Sequence, residues 1–247
     1  MSDYASGLLP LSTRGQAATL LAPRQHRLML FRRAQSKLRE QIFSEIYAKN
    51  LWGSLESVSG PGSTLPRTAA FRDKLACLLT ELNTRTLLDA PCGDFNWMKE
   101  LMLELAQVAE LQSYTGVDIV PDLIAENRRR HQDSVRRFLH LDLVRDRLPQ
   151  ADLILCRDCL VHFSFAEIRA ALRNFRRSRS SYLLTTTFTH VRENADIATG
   201  SWRRLDLRLP PLNFPEPIRM VDEKRRESDG CDSFKYLGLW ELKTLPV

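Results

Sequence analysis

The stretch Thr86-Leu-Leu-Asp-Ala-Pro-Cys-Gly-Asp94 constrains the fold more than any other part of this chain. A short apolar run ends on Asp89, Gly93 follows in a tight turn, and a helical pattern begins after it. A buried parallel strand feeding a glycine turn and a helix start is how a doubly wound sheet builds a nucleotide pocket. The turn lets backbone approach a ligand, and the first amides of the helix lack partners within it. Asp89, at the strand end, offers a carboxylate to a cationic or hydroxylated group.

From Thr86 onward, strand and helix patterns alternate. Strands are expected over Thr86–Asp89, Tyr114–Ile119, Arg137–Leu143, Ala151–Cys156 and Ser181–Phe188. Helices are expected over Trp97–Leu111, Pro121–Gln132 and Phe165–Arg177, the second with proline near its start. This alternation predicts an α/β fold: a doubly wound, mostly parallel, Rossmann-like sheet with helices on both faces. The tail breaks the rhythm. Four prolines in residues 208–217 exclude helix and central strand there. Ile218–Asp222 and Lys235–Lys243 then read as a C-terminal antiparallel hairpin.

Ahead of this core, residues 1–22 are expected to be loosely held. A helix is expected from about Gln25 to Lys49, with an apolar stripe through Leu28, Phe31, Leu38, Ile42 and Ile46. Ser57–Thr64 is a loop by composition, and helical periodicity returns over residues 68–83. The expected organisation is a basic helical extension (1–50) and one domain (51–247) with its core at 84–190 and an insertion at 194–217.

The formal net charge of +6 is uneven: residues 1–50 carry +5 and the rest +1. Arg24, Arg27, Arg32, Arg33, Lys37 and Arg39 supply much of it. Such an arm suits nucleic acid, an anionic membrane or an acidic substrate, or else it is the solvated face of an amphipathic helix. No apolar run reaches the roughly 20 residues of a spanning helix. No secretory signal is evident, and five cysteines without framework spacing fit reduced thiols. A cytoplasmic location is expected.

Asp89, Asp118, Asp142 and the segment Arg157-Asp-Cys-Leu-Val-His162 follow four successive predicted strands. They therefore line one edge of the sheet, where open parallel sheets bind ligands. Any one of them alone reads as a cap or turn aspartate. Four in register point to a site, and a carboxylate after the second strand can accept both hydrogen bonds of a ribose diol.

In that order and spacing the chain resembles a class I S-adenosylmethionine-dependent methyltransferase over roughly residues 50–247. Leu88–Gly93 resembles the family's first motif, Val117-Asp-Ile119 the second, His140-Leu-Asp-Leu143 the third and Asp152–Phe163 the fourth. The resemblance implies S-adenosyl-L-methionine as cofactor, with S-adenosyl-L-homocysteine as product. The cofactor would be held by Asp89, Ala90, Pro91, Gly93, Asp94, Asp118, Ile119, Asp142, Leu143 and Arg157. In that family a segment before the core often closes over the cofactor, which would bring in Trp52 and Ser63; a plain interhelical loop with a core tryptophan is the other reading. Pro91 departs from the pattern, since proline cannot adopt the positive φ of the glycine often found there. Gly93 is then expected to supply most of the close backbone approach.

Methyl transfer requires alignment and desolvation, and a base only where the acceptor loses a proton. His162 and Asp158 are the catalytic residues this implies, His162 having the better matched ordinary pKa; His190 is a second candidate. A structural histidine at a helix start is the other reading of His162. Cys156 and Cys159 have knuckle spacing, but no second cysteine pair completes a zinc site. The fourth motif lacks the Asn/Asp-Pro-Pro-Tyr of amino-methyltransferases acting on nucleobases or glutamine. An oxygen or nitrogen acceptor on a small molecule or sugar is therefore expected. The insertion, with Trp202, Arg203, Arg204 and Phe214, would either recognise an anionic acceptor or simply connect elements. A NAD-dependent oxidoreductase and a catalytically silent binding module, with the basic arm on RNA, are the alternatives.

Overall fold

The computed structural model describes residues 17–108, 111–223 and 234–246. Its sheet contains β1 (Thr86–Asp89), β2 (Ser113–Asp118), β3 (Arg136–His140), β4 (Leu153–Cys156), β5 (Tyr182–Phe188), β6 (Arg219–Asp222) and β7 (Lys235–Glu241). The order is β3-β2-β1-β4-β5-β7-β6. β1 to β5 pair in parallel, while β7 runs antiparallel to both β5 and β6. The doubly wound sheet with a late hairpin is therefore present.

The helices are α1 (Ala17–Ala48), α2 (Leu65–Glu81), α3 (Met98–Val108), α4 (Pro121–His131) and α5 (Phe165–Arg177). Pro121 sits in the first turn of α4, where its missing amide costs nothing. Ser164 caps α5 by accepting the amide of Glu167. Short 3-10 turns cover Pro61–Ser63 and Leu160–His162.

Strand alternation sends neighbouring residues to two cores. Leu87, Leu153 and Leu155 pack with Phe71, Leu75, Met98, Leu101 and Ile124 of α2, α3 and α4. Leu88, Ile154 and Cys156 pack with Ile168, Leu172 and Phe175 of α5. On that second face the insertion takes the place of a further helix. Leu205, Leu207 and Phe214 join the core, Phe214 meets Trp240 edge-on, and the Trp240 indole donates to Pro215 O.

The N-terminal helix departs from the expected stripe. Leu38 is half exposed, whereas Arg39 is buried and Ile46 lies in the core. The side chains of Leu28, Phe31, Arg24, Arg27 and Arg32, and all of residues 1–16, fall outside the described residues. The helix docks through Ser36, Arg39, Phe43 and Tyr47, one face at helical spacing. The reason is electrostatic as much as apolar. Arg39 Nη2 donates to Asp142 Oδ2 at 2.6 Å and Nη1 to Glu167 Oε1 at 2.9 Å. Arg39 is thus a buried ion-pair partner, not part of a free basic arm.

Candidate active site

The C-terminal ends of β1, β2 and β4 open into a cleft of about 640 Å³, solvent at its mouth included. Its floor and sides are Pro91, Gly93, Asp118, Ile119, Leu143, Asp158 and His162. Phe43 and Tyr47 of α1 and Trp52, Val58 and Ser59 of the segment before α2 close over it. A mostly apolar lining with few polar groups is typical of a small-ligand site.

The four strand-end acids do different things. Asp118 accepts the amides of Val120 (3.1 Å, on Oδ1) and Gly93 (3.2 Å, on Oδ2). A carboxylate has about four acceptor positions, so capacity remains on both oxygens. Burial pushes this carboxyl up to about 6, against the pull of those amides. Asp142, also in the cleft wall, is filled. Ser36 and Arg39 donate to Oδ2, and Arg39 and Val144 to Oδ1. Asp142, expected among the cofactor residues, instead uses its acceptor positions to hold α1 to the domain. Asp89 lies beneath the lining, fully buried, with the Tyr114 hydroxyl donating to Oδ2 at 2.7 Å. Burial raises its carboxyl to about 7.

Asp158 has a left-handed backbone (φ 51°) at the end of β4. Lys235 Nζ lies 2.6 Å from its Oδ2, and Arg157 Nη1 3.3 Å. Burial opposes ionisation, but these two cations outweigh it and hold the Asp158 carboxyl well below the usual carboxylate range. Such an anion is a poor proton acceptor, so the expectation of Asp158 as a base is not supported by its surroundings. Arg157 does not line the cleft. It is buried beneath Phe71 and Trp97, paired with Glu223 at 2.8 Å, and donates to Gly62 O.

His162 stacks at 5.3 Å on Trp52. Its Nδ1 is 2.8 Å from the carbonyl of Ser201 in the insertion. A carbonyl only accepts, so Nδ1 carries the proton and Nε2 keeps its lone pair. Burial lowers His162 below the ordinary histidine range. The ring is therefore neutral at pH 7, with an unprotonated nitrogen in a site lined by His162 itself.

Of the other expected residues, Trp52, Pro91, Ile119 and Leu143 line the cleft, and Ser63, Ala90 and Asp94 do not. Ser63 is engaged in its own turn, its carbonyl accepting from Asn96. Ser59, which sequence reasoning passed over, makes the closure. Its hydroxyl accepts the Asp94 amide at 2.9 Å and lies 3.1 Å from Asp94 Oδ1. Gly93 has φ 53°, and a Cβ there would sit 2.2 Å from Ser59 Oγ. Glycine is required because the covering segment presses on the turn. Phe43, Tyr47, Val120, Leu123, Cys159 and Phe163 were also missed. The i, i+4 pair of aromatics on α1 was the one available sequence signal among them.

Of the insertion's two expected anion-binding arginines, Arg203 is turned inward. Arg203 is buried and donates to the carbonyls of Leu160, Val161 and Phe163, fixing the turn that carries His162. Trp202 is exposed and meets Phe188 edge-on. His190 stacks on Phe234, outside the cleft lining. No group of three or more metal-ligating side chains occurs among the described residues. None of their helices is long and apolar enough to cross a membrane.

A methyltransferase-domain family model matches residues 88–179. No curated protein matches the chain. The solved methyltransferase domain of bacterial CtHen1-C superposes with a TM-score of 0.51 at 15% identity, covering 72% of this chain and 98% of that one. A Burkholderia thailandensis 1,6-didemethyltoxoflavin-N1-methyltransferase, solved with 1,6-didemethyltoxoflavin and S-adenosylhomocysteine, also superposes with a TM-score of 0.51. The identity there is 14%, with 96% of this chain and 93% of that one covered. At these identities the likeness is one of fold. What this chain shares with methyltransferase domains is that fold, and the family-model match over residues 88–179.

Proposed function

We propose that this protein methylates an oxygen or nitrogen of a small molecule or sugar, with S-adenosylmethionine as donor. The observation that carries the reading is a neutral His162, its Nδ1 proton fixed by Ser201, in the same cleft as Asp118 and Gly93.

The residues fit the donor. Asp118 keeps acceptor capacity for a ribose diol, and Ile119 and Leu143 give apolar surface for a base. The filled Asp142 leaves recognition of an adenine amine to other groups. When bound, S-adenosylmethionine supplies a methyl on a sulfonium, an electrophile that needs no acid for its leaving group. His162 Nε2 takes the proton that a hydroxyl or N–H acceptor must lose. Trp52 fixes the imidazole plane, and Ser201 its tautomer. Asp158 stays a fixed anion, held by Lys235 and Arg157. Phe43, Tyr47 and Trp52 exclude water from the reacting groups. That roof suits a small acceptor over a folded macromolecule. The thiols of Cys77, Cys92, Cys156 and Cys159 are free, in keeping with a reducing cytoplasm.

Two measurements test this. Calorimetric titration should detect S-adenosylhomocysteine binding, and tight NAD binding alone would overturn the reading. In a methyl-label transfer assay on fractionated lysate, His162→Ala should lower turnover at least 100-fold with product affinity little changed. Wild-type turnover in that variant would remove His162 from the mechanism. Binding without turnover on any fraction would favour a silent module.

A further inference from the structure

The solvent face of α5 carries Arg169, Arg173, Arg176 and Arg177, all exposed, opposite the buried Ile168, Ala171, Leu172 and Phe175. Arg169, Arg173 and Arg177 follow at four-residue intervals, a straight row with about 6 Å between neighbours. Arg179, just past the helix end, is exposed as well. Asn174 ties α5 to the segment after β3 by donating to Leu143 O and Asp146 O. That segment adds exposed Arg145 and Arg147.

None of Arg145, Arg147, Arg169, Arg173, Arg177 and Arg179 has an ion-pair partner among the described residues. The acids close by are turned inward. Asp146 accepts the amide of Asp142, and Glu167 holds Arg39. α4 shows the contrast: Arg129 and Arg130 both pair with Glu126. The helix dipole favours cations in the last turn, which accounts for Arg177. It does not account for Arg169 in the second turn or Arg173 in the middle. Like charges four apart destabilise a helix, so the row carries a cost that nothing within the described chain offsets.

We infer that this arginine face binds the phosphate backbone of nucleic acid. Every cation on it is arginine, whose planar fork matches a phosphate with two parallel hydrogen bonds. A lipid surface fits less well. Among the described residues the large exposed apolar side chains are Leu30, Leu38, Leu51, Leu55, Leu103, Val135, Trp202, Ile218 and Phe234, none on α5 or on residues 143–147. There is nothing on this face to enter a bilayer. This face is independent of the methyl-transfer reading.

The test is fluorescence anisotropy with a labelled 20-nucleotide mixed-sequence single-stranded RNA, titrated from 50 to 200 mM salt. Contacts to phosphate give a log K against log salt slope of about −0.7 per phosphate neutralised. The triple variant Arg169→Gln/Arg173→Gln/Arg177→Gln should flatten the slope by about 2 and weaken binding at least tenfold at 50 mM salt. Its circular dichroism and S-adenosylhomocysteine affinity should match wild type, since these residues touch neither core nor cleft. Arg129→Gln/Arg130→Gln should leave the slope unchanged. Single-stranded DNA of the same sequence should bind equally, because the contacts are to phosphate. The inference is overturned by absence of RNA binding at 50 mM salt. A triple variant that coincides with wild type, or the same loss in the α4 variant, also overturns it. So does binding to phosphatidylserine vesicles without binding to RNA.

Discussion

Replacing Gly93 by alanine tests the closure of the cleft at one atom. The new Cβ would lie 2.2 Å from Ser59 Oγ and 3.1 Å from Ser59 Cβ, so Ser59 must leave. With it go the Asp94 amide bond at 2.9 Å and the contact to Asp94 Oδ1 at 3.1 Å. Two such bonds contribute about 2 kcal/mol. Alanine in the left-handed region costs about 1 kcal/mol more. The expected loss is about 3 kcal/mol, a fall in melting temperature of roughly 6–12 °C for a chain of this size. S-adenosylhomocysteine should bind more weakly, because Gly93 and Ser59 both line the cleft. Ser59→Gly removes the hydroxyl and the clash together, at a cost of about 2 kcal/mol. The double variant should then be no worse than Gly93→Ala alone, a coupling of about 2 kcal/mol between the two sites. Thermal unfolding of the four proteins, with calorimetric titration of each, decides it. Strictly additive losses, or a Gly93→Ala protein melting within 2 °C of wild type, would refute the contact as the reason for glycine.

Three further outcomes are expected. Arg39→Met leaves Asp142 charged and buried, and should cost about 3–5 kcal/mol in urea unfolding. Adding Asp142→Asn should restore part of that, and an additive double variant would contradict the pairing. Asp118 has its folded pKa raised to about 6 from an unfolded value of 3.8. Its ionisation therefore disfavours the fold as pH rises through that interval, while on the proposed function the ionised form is the one that accepts the ribose diol. S-adenosylhomocysteine affinity should fall as pH drops through about 6, and Asp118→Asn should abolish that dependence; the same slope in the variant would remove Asp118 from the site. Because the folded pKa of His162 is lowered, its unprotonated form persists as pH falls below the ordinary histidine range. The acid limb of turnover attributable to His162 should lie below pH 6.5, and a limb above it would contradict the burial described.

The sequence alone determined the elements. Periodicity placed β1 and α5 at their observed limits and most other ends within a few residues, but α1 begins at Ala17, eight residues before the expected start and within the stretch expected to be loosely held. Alternating apolar strands and four acids at strand ends gave the sheet, its ligand-binding edge and the late hairpin, because those signals are local. The tertiary structure decided which acid is free to bind. Asp118 and Asp142 read alike in sequence, yet Asp142 is filled by Arg39, 103 residues away. The same distance effect buried Arg39 in ion pairs and made Phe43 and Tyr47 a wall of the cleft. It replaced Ser63 with Ser59 as the closing residue, and gave His162 its tautomer through Ser201. Helix and strand periods are set by neighbours along the chain. A carboxylate's lone pairs, an imidazole's proton and the space in front of Gly93 are set by whichever residues the fold brings there.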